Sequence, residues 1–233
     1  MNRVLRIEIW SIVGMLLAAG SVHAAGGGGS WTMGANIGFI NSSQGDMNHV
    51  IEKGATGAKA FGNAWEGSFA FGYRLSSSSV GLLLRPSYFF YGDATGAGSK
   101  YTLSGFTIFP VLKWYMLEDK SIKFYSQFGV GYGHMSGEIS VSSTANAKFG
   151  GGGMGYMAGL GAEFCFAGMH CLNIEGSMRA LSVDRFIVDS ATGSLAGSDI
   201  TQSTASQELE INDHDFSASM SGVLGMVGYS FYF

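Results

Sequence analysis

The fold of this chain is decided by a pattern that is clearest in the stretch Ser30-Trp31-Thr32-Met33-Gly34-Ala35-Asn36-Ile37-Gly38-Phe39. The odd-numbered positions from Trp31 to Phe39 are apolar, and the even-numbered positions between them are small or polar. Successive side chains of a β-strand point to opposite faces, so a period of two predicts a strand with one apolar face and one polar face.

Seven further segments repeat this alternation, although Leu83 and Phe89 interrupt it in the third strand. The segments are 63–75, 80–91, 102–116, 122–134, 154–166, 171–182 and 216–233. One such segment is weak evidence for a barrel, because the signal of a single barrel strand is faint. Eight successive segments with the same alternation are not weak evidence. The sequence therefore predicts an all-β fold, an eight-stranded antiparallel up-and-down transmembrane β-barrel.

The links between these segments alternate in length. Short links follow the second, fourth and sixth strands, at 76–79, 117–121 and 167–170, and longer polar links follow the others, at 41–62, 92–101, 135–153 and 183–215. Bacterial barrels have an even number of strands, short periplasmic turns and longer outer loops. The alternation therefore predicts that both chain termini lie in the periplasm.

The composition agrees with a membrane barrel. Charged residues make up 13% of the chain, about half of the usual share, while mean hydropathy is +0.21 and there are 37 glycines. A soluble lipocalin-like barrel is the alternative, but it would turn its apolar face inward around a ligand. Small residues on the polar face suit a narrow, crowded lumen and favour the membrane barrel.

The N-terminus has the features of a secretory signal peptide. Arg3 and Arg6 precede a short apolar run at 12–19, and the small residues Val22 and Ala24 follow it. The run is too short for a transmembrane helix, which needs about 20 apolar residues. We expect a signal peptide at 1–24, with no lipoprotein cysteine beside it, and a barrel domain at 25–233 that crosses the periplasm to the bacterial outer membrane.

The last residues resemble the C-terminal signal that the barrel-assembly machinery recognises in outer-membrane proteins. Gly228, Phe231 and Phe233 have the spacing of that signal, although Met226 stands where it usually has a polar residue. The segments 109–116 and 124–133 resemble the porin-like "outer membrane protein beta-barrel domain" family. The resemblance implies the fold, the location and the assembly machinery as a partner, and says little about activity.

Charged residues on the polar face predict a network inside the barrel. Its members are Arg74, Arg85, Lys113, Glu163 and Glu175, while Glu66 and Arg179 lie nearer the outer end. Opposite charges brought together in a low-dielectric lumen either pair or carry a high cost. Eight strands leave an interior just wide enough for side chains, so we expect a plugged lumen. A small, porin-like pore is the alternative.

A His-x-Ser arrangement is the only hint of catalysis. His134 and Ser136, with Glu138 behind them, resemble the motif of barrel enzymes that deacylate lipid A, but Gly137 stands where that motif usually has asparagine. His49 and His214 have no partners at the spacing of metal ligands. We therefore expect no enzyme, no catalytic residues, and no metal or cofactor.

The segment 183–215 carries seven carboxylates against the single cation Arg185. This composition predicts a solvated, mobile outer loop, with a divalent cation or a basic partner as the alternative, and it argues against nucleic acid. The function that follows is a structural or surface-interaction role, in contact with membrane lipid and lipopolysaccharide. The sequence does not name an extracellular ligand.

The two cysteines of the chain, Cys165 and Cys171, flank the turn around Gly168 on inward-facing positions. Exported proteins meet an oxidising periplasm, where a disulfide across this hairpin would form if the two residues lie opposite each other. Two thiols alone do not complete a zinc site. Free thiols remain the alternative.

Overall fold

The fold is described here from a computed structural model, which covers residues 30–54, 57–75, 78–96, 98–141, 145–166, 169–193, 195 and 200–233. The signal peptide expected at 1–24 and the turn residue Gly168 lie outside the described residues. No helix in the described part of the chain is long and apolar enough to cross a membrane.

The described chain contains fourteen strands and one helix. In chain order they are β1 (Ser30–Asn41), α1 (Gly45–Gly54), β2 (Asn63–Arg74), β3 (Val80–Tyr91), β4 (Ala94–Gly96), β5 (Ser99–Glu118), β6 (Ile122–Val141), β7 (Ala145–Phe166), β8 (His170–Val183), β9 (Ile187–Thr192), β10 (Ile200–Gln202), β11 (Glu210–Ile211), β12 (His214–Asp215), β13 (Ala218–Ser219) and β14 (Gly222–Tyr232).

Eight of these strands form a closed antiparallel ring in the order β1, β2, β3, β5, β6, β7, β8 and β14. The ring closes because β14 pairs with β8 on one side and with β1 on the other, for example Ala35 with Tyr229. The predicted eight-stranded barrel is confirmed. Both described chain ends lie at the end of the barrel with the short links, called the turn end below, and the opposite end is called the loop end.

The two faces of the barrel wall divide as the alternation predicts. Trp65, Phe90 and Trp114 point outward and are 55%, 48% and 53% exposed, whereas the neighbouring residues Glu66 and Lys113 point inward and are buried. An apolar outer belt with charged residues inside is the arrangement of a membrane barrel. It excludes the lipocalin-like alternative, which would reverse the two faces.

The link predicted at 135–153 is mostly strand. The strands β6 and β7 stay paired without a break from Ile122↔Phe164 to Val141↔Ala145, so the hairpin extends well beyond the apolar belt. The prediction of a long polar loop was wrong here. Inward positions of the extension carry Met135, Ile139 and Phe149, which need cover from water and obtain it from the other loops at this end.

Those loops form an ordered cap over the loop end. The helix α1 buries Met47, Val50 and Ile51, and Asp46 in its first turn accepts 2.8 Å hydrogen bonds from the backbone N–H and the hydroxyl of Ser217. The acidic segment 183–215 contributes further buried apolar residues, namely Phe186, Val188, Leu209 and Ile211. The prediction of a fully solvated loop was therefore wrong for these residues, whereas the mobility of the segment stays a prediction.

The last barrel strand, β14, begins six residues after the predicted start at Phe216, but pairing with β8 already begins at Ala218. Ala218 of β13 pairs with Val183, in the register that β14 continues from Gly222 to Phe231 against β8. Phe216 itself is fully buried in the cap. The alternation therefore located the pairing correctly and placed its first residue two positions early.

Glycines line the inner wall where large side chains from neighbouring strands cross it. A Cβ atom at Gly131 would overlap the carbonyl oxygen of Ile108 and lie 2.7 Å from a ring carbon of Phe109. Likewise, a Cβ atom at Gly105 would lie 2.7 Å from the ring of Phe89. The interior of an eight-stranded barrel is filled by side chains, and these glycines make the room for the aromatic ones.

Candidate functional site in the barrel lumen

The middle of the lumen holds an ion pair between Arg85 of β3 and Glu175 of β8. Nη1 of Arg85 lies 2.7 Å from Oε1 of Glu175, and the two side chains are 6% and 5% exposed. The sulfur of Met226 accepts a second hydrogen bond from Arg85, and Ser177 donates to Glu175 at 3.2 Å. Two of the predicted network residues therefore meet across the barrel, as a buried charge requires.

A second buried pair, nearer the turn end, joins Lys113 of β5 to Glu163 of β7. The ammonium group of Lys113 also lies 3.7 Å from the ring centre of Tyr125, where the ring face attracts a cation. The other carboxylate oxygen of Glu163 accepts a hydrogen bond from Tyr232, whose hydroxyl lies 2.8 Å from that of Tyr115. These three tyrosines complete the polar and cation–π contacts around this pair, and they were not part of the predicted network.

The third pair lies nearer the loop end and joins Glu66 of β2 to Arg179 of β8. Nη2 of Arg179 is 3.0 Å from Oε2 of Glu66, and Nη1 donates to Oε1 at 3.1 Å. The Nε–H of Arg179 donates to the carbonyl of Met220 at 2.8 Å. The sequence placed both residues toward this end and did not identify them as partners.

Arg74 does not join the buried pairs. Its guanidinium forms two hydrogen bonds with Glu118, at 2.6 and 2.5 Å, at the mouth of the turn end. Lys123 of β6 lies 3.6 Å from the same carboxylate and 4.1 Å from the ring centre of Tyr232. Both Glu118 and Lys123 were missed from the sequence, the first because it lay in a predicted turn.

From the level of the Glu66–Arg179 pair to the loop end, the rest of the lumen is filled by apolar side chains. Phe89, Leu103, Met135, Leu181 and Met220 point inward and are at most 1% exposed. They belong to one buried cluster with the helix residues Met47, Val50 and Ile51. The apolar filling of the barrel and the core of the cap are therefore continuous across the outer mouth.

Cys165 and Cys171 lie opposite each other in the register of β7 and β8 and are joined by a disulfide. The carboxylate of Glu163 lies within 4.8 Å of both sulfurs. Because Glu163 belongs to the second buried pair, the disulfide ties the two strands together next to that pair.

The C-terminal residues close the seam between β14 and β1. Trp31 and Phe233 exchange two backbone hydrogen bonds, at 2.9 and 3.0 Å, and the rings of Phe231 and Phe233 stack with centres 5.8 Å apart. Gly228 also has a packing role, because a Cβ atom there would overlap the side-chain oxygen of Asn36. These three residues therefore have structural contacts that do not depend on recognition by other proteins.

His134 and Ser136 share the outward face of β6, but the arrangement around them is not that of a triad. Glu138 accepts hydrogen bonds from Asn146 and Ser140. The imidazole of His134 packs against Phe106, with ring centres 5.7 Å apart. A nucleophilic serine needs a base that a third group orients, and here the acid is engaged elsewhere.

The acidic residues of the cap are partly neutralised by Arg185. Its Nη1 lies 2.9 Å from Glu208, and its Nε lies 3.4 Å from Asp215. The carboxylates of Glu208, Glu210 and Asp215 lie within 4.8 Å of one another. A cluster that already holds a guanidinium has less attraction for a metal ion or a basic partner.

Comparisons with known proteins identify the architecture. No protein-family model matches the chain, and a comparison with curated protein sequences gives no match. The solved structure of the outer membrane protein OprG from Pseudomonas aeruginosa matches with a TM-score of 0.52 at 11% identity, over 88% of this chain and 96% of that one. A major outer membrane protein from Thermus thermophilus matches with a TM-score of 0.58 at 12% identity, over 91% and 100%.

The fold is that of a small bacterial outer-membrane barrel. Sequence identities this low support a shared fold and nothing further, but the outward-facing apolar belt independently requires a lipid environment. Closed antiparallel barrels satisfy every backbone hydrogen bond internally, and bacterial outer membranes are where such single-chain barrels occur. The chain is therefore an integral protein of the outer membrane whose belt contacts lipid.

Proposed function

We propose that this outer-membrane barrel is closed to solutes and acts through the surface that it presents outside the cell. Two successive seals support the proposal. The first is the set of buried ion pairs, Arg85–Glu175, Lys113–Glu163 and Glu66–Arg179, which occupy the polar part of the lumen. The second is the apolar filling of the rest of the lumen.

The second seal carries most of the argument. Paired charged side chains in a lumen can move apart and let water enter, because each charged group keeps some affinity for water. An apolar core that runs from Phe89 and Met135 in the lumen to Val50 and Ile51 in the cap offers no such path. A porin-like pore would need a polar wall along its whole length. The packed cap therefore favours the closed barrel over the small pore.

Planar-bilayer recording of the refolded protein tests this function. We expect no steady openings of porin size at moderate voltage, because neither part of the lumen has a continuous hydrated path. A porin reconstituted in the same lipid serves as the positive control. Steady, protein-dependent conductance would contradict the closed barrel and favour the pore.

The orientation follows from the general topology of bacterial barrels, with the turn end in the periplasm and the cap outside. An epitope inserted within 193–203 is expected to be labelled by antibody on intact cells. The same epitope within 119–121, at the turn end, should be labelled only after the outer membrane is permeabilised. The opposite labelling of the two sites would mean that the barrel has the reverse orientation in the membrane.

The outer surface begins directly above the lipid belt. On β5 and β6 the outward rows change from Phe106 and Tyr132 to hydroxyl and amphipathic residues such as Thr102, Ser136 and Ser140. Polar groups at this height meet the head groups and sugars of lipopolysaccharide, which we take as the immediate partner. The role is one of structure or surface interaction, without catalysis.

Assembly is the second partnership that the chain supports. Gly228, Phe231 and Phe233 carry the expected signal for the barrel-assembly machinery, and they lie on the strand that closes the ring. An unpaired terminal strand can add to the sheet edge of an assembly factor by backbone hydrogen bonds. Export by the N-terminal signal peptide precedes this step.

A further inference from the structure

We infer that the closed lumen binds two ordered water molecules, each in its own small cavity beside the buried ion pairs. The inference rests on the closed lumen proposed above and adds two binding sites to it. Two cavities lie beside buried polar atoms that have no hydrogen-bond partner among the described residues, and this coincidence supports the inference.

The first cavity lies between the pairs Arg85–Glu175 and Lys113–Glu163. About 30 Å³ in it is open to the centre of a water molecule, and its wall includes the side chains of Gln127 and Asn173. Both side chains are more than nine-tenths buried. Among the described residues, Nε2 of Gln127 and Oδ1 of Asn173 have no hydrogen-bond partner.

These two atoms are complementary for one water. The amide nitrogen of Gln127 is a donor, and the side-chain oxygen of Asn173 is an acceptor. The Nδ2 group of Asn173 is already used, because it donates to Ser230 at 2.5 Å, and this bond fixes the orientation of its oxygen. A water that accepts from Gln127 and donates to Asn173 keeps a second proton for the carboxylate of Glu175, which lines the same cavity.

The second cavity lies between Arg85–Glu175 and Glu66–Arg179. About 10 Å³ is open to a water centre there, close to the lower limit for one molecule. Glu66 and Arg179 line this cavity. Within the described structure neither Oε2 of Glu66 nor Nη2 of Arg179 forms a hydrogen bond, although the two atoms are 3.0 Å apart as an ion pair. A water beside them would accept from Arg179 and donate to Glu66.

Water is the ligand that both sites fit. Each cavity is too small for a solute, and each has a donor and an acceptor, where an ion would need several ligands of one kind. Arg85 lines both cavities, so its ion pair with Glu175 lies between the two water sites. Internal hydration of this kind lowers the cost of keeping three charge pairs away from bulk solvent.

Solution NMR of the refolded barrel in detergent micelles tests the first site directly. We expect a nuclear Overhauser cross-peak between the side-chain amide of Gln127 and water, with the sign of a long-lived complex. Magnetic relaxation dispersion of the water signal counts long-lived waters, and Gln127→Leu should lower that count by one. The exposed Asn63→Leu, at the loop end, is the matched control and should leave the count unchanged.

The outcomes separate the inference from the proposed function. Absence of the Gln127 cross-peak in a protein without conductance would overturn the water sites and leave the closed barrel standing. Rapid exchange of this amide with bulk water, together with conductance, would overturn both. If Gln127→Leu does not fold, the cross-peak in the wild-type protein still decides the result.

Discussion

Glu175→Gln is expected to destabilise the refolded barrel by about 3–5 kcal/mol, because it leaves Arg85 charged and buried without its partner. Arg85→Gln should have a similar cost for the reciprocal reason. The double variant should lose less than the sum of the two single losses, since neither charge is then left alone. Urea unfolding in detergent or lipid vesicles, with the folding midpoint and slope fitted together, measures all three values.

An exposed ion pair of similar length provides the matched control. Lys100 and Asp93 lie 2.9 Å apart at the loop end, but their side chains are 54% and 53% exposed. The hydrogen bond to Asp93 raises the pKa of Lys100, yet solvent screens the pair. Asp93→Asn should leave the urea midpoint unchanged. Strict additivity of the Arg85 and Glu175 variants would mean that the lumen is wet, which would favour the pore.

The barrel was predictable from the sequence because its two environments differ so strongly. Lipid on one side and a crowded polar lumen on the other impose a period of two on every strand. The row from Trp31 to Phe39 needs no tertiary information to be recognised. The pattern weakens where the wall leaves the membrane, and there the predictions failed.

The failure at 135–153 has this cause. Above the membrane the inner face of β6 and β7 stays apolar, with Met135 and Phe149 in the core, but the outer face becomes polar and glycine-rich. Glycines and serines are also typical of loops, so composition alone favoured a loop. Only the long-range pairing of the two strands, and the cap that covers them, distinguishes the two cases.

Glu118 lay in the turn predicted at 117–121, and a β-bulge decides which side of the barrel wall it occupies. The register of β5 against β6 shifts between Tyr115 and Leu117, so that Met116 is the extra residue. A bulge reverses the alternation beyond it, which places Glu118 opposite Lys123 on the lumen side. Counting alternate positions from Tyr115 would assign Leu117 to the lumen instead. A bulge of this kind leaves no reliable trace in a single sequence.

Gly131→Ala tests how tightly the lumen is packed. A Cβ atom at this position would overlap the carbonyl oxygen of Ile108, which the β5–β6 pairing holds in place, and would push against the ring of Phe109. Overpacking of a filled core typically costs about 1–3 kcal/mol. We expect a loss of this size in the free energy of unfolding, measured with the same urea assay.

Gly176→Ala is the matched control, because it adds the same methyl group to the outer face of β8. No atom lies within 4 Å of a Cβ atom at Gly176 among the residues that the structure describes. Glycine in a strand loses more conformational entropy on folding than alanine, so this variant should be neutral or more stable by up to about 1 kcal/mol. The sign of the difference between the two variants is the decisive result. Equal effects would mean that the inner wall around Gly131 has room to spare, and the side-chain-filled lumen would then be wrong at this level of the barrel.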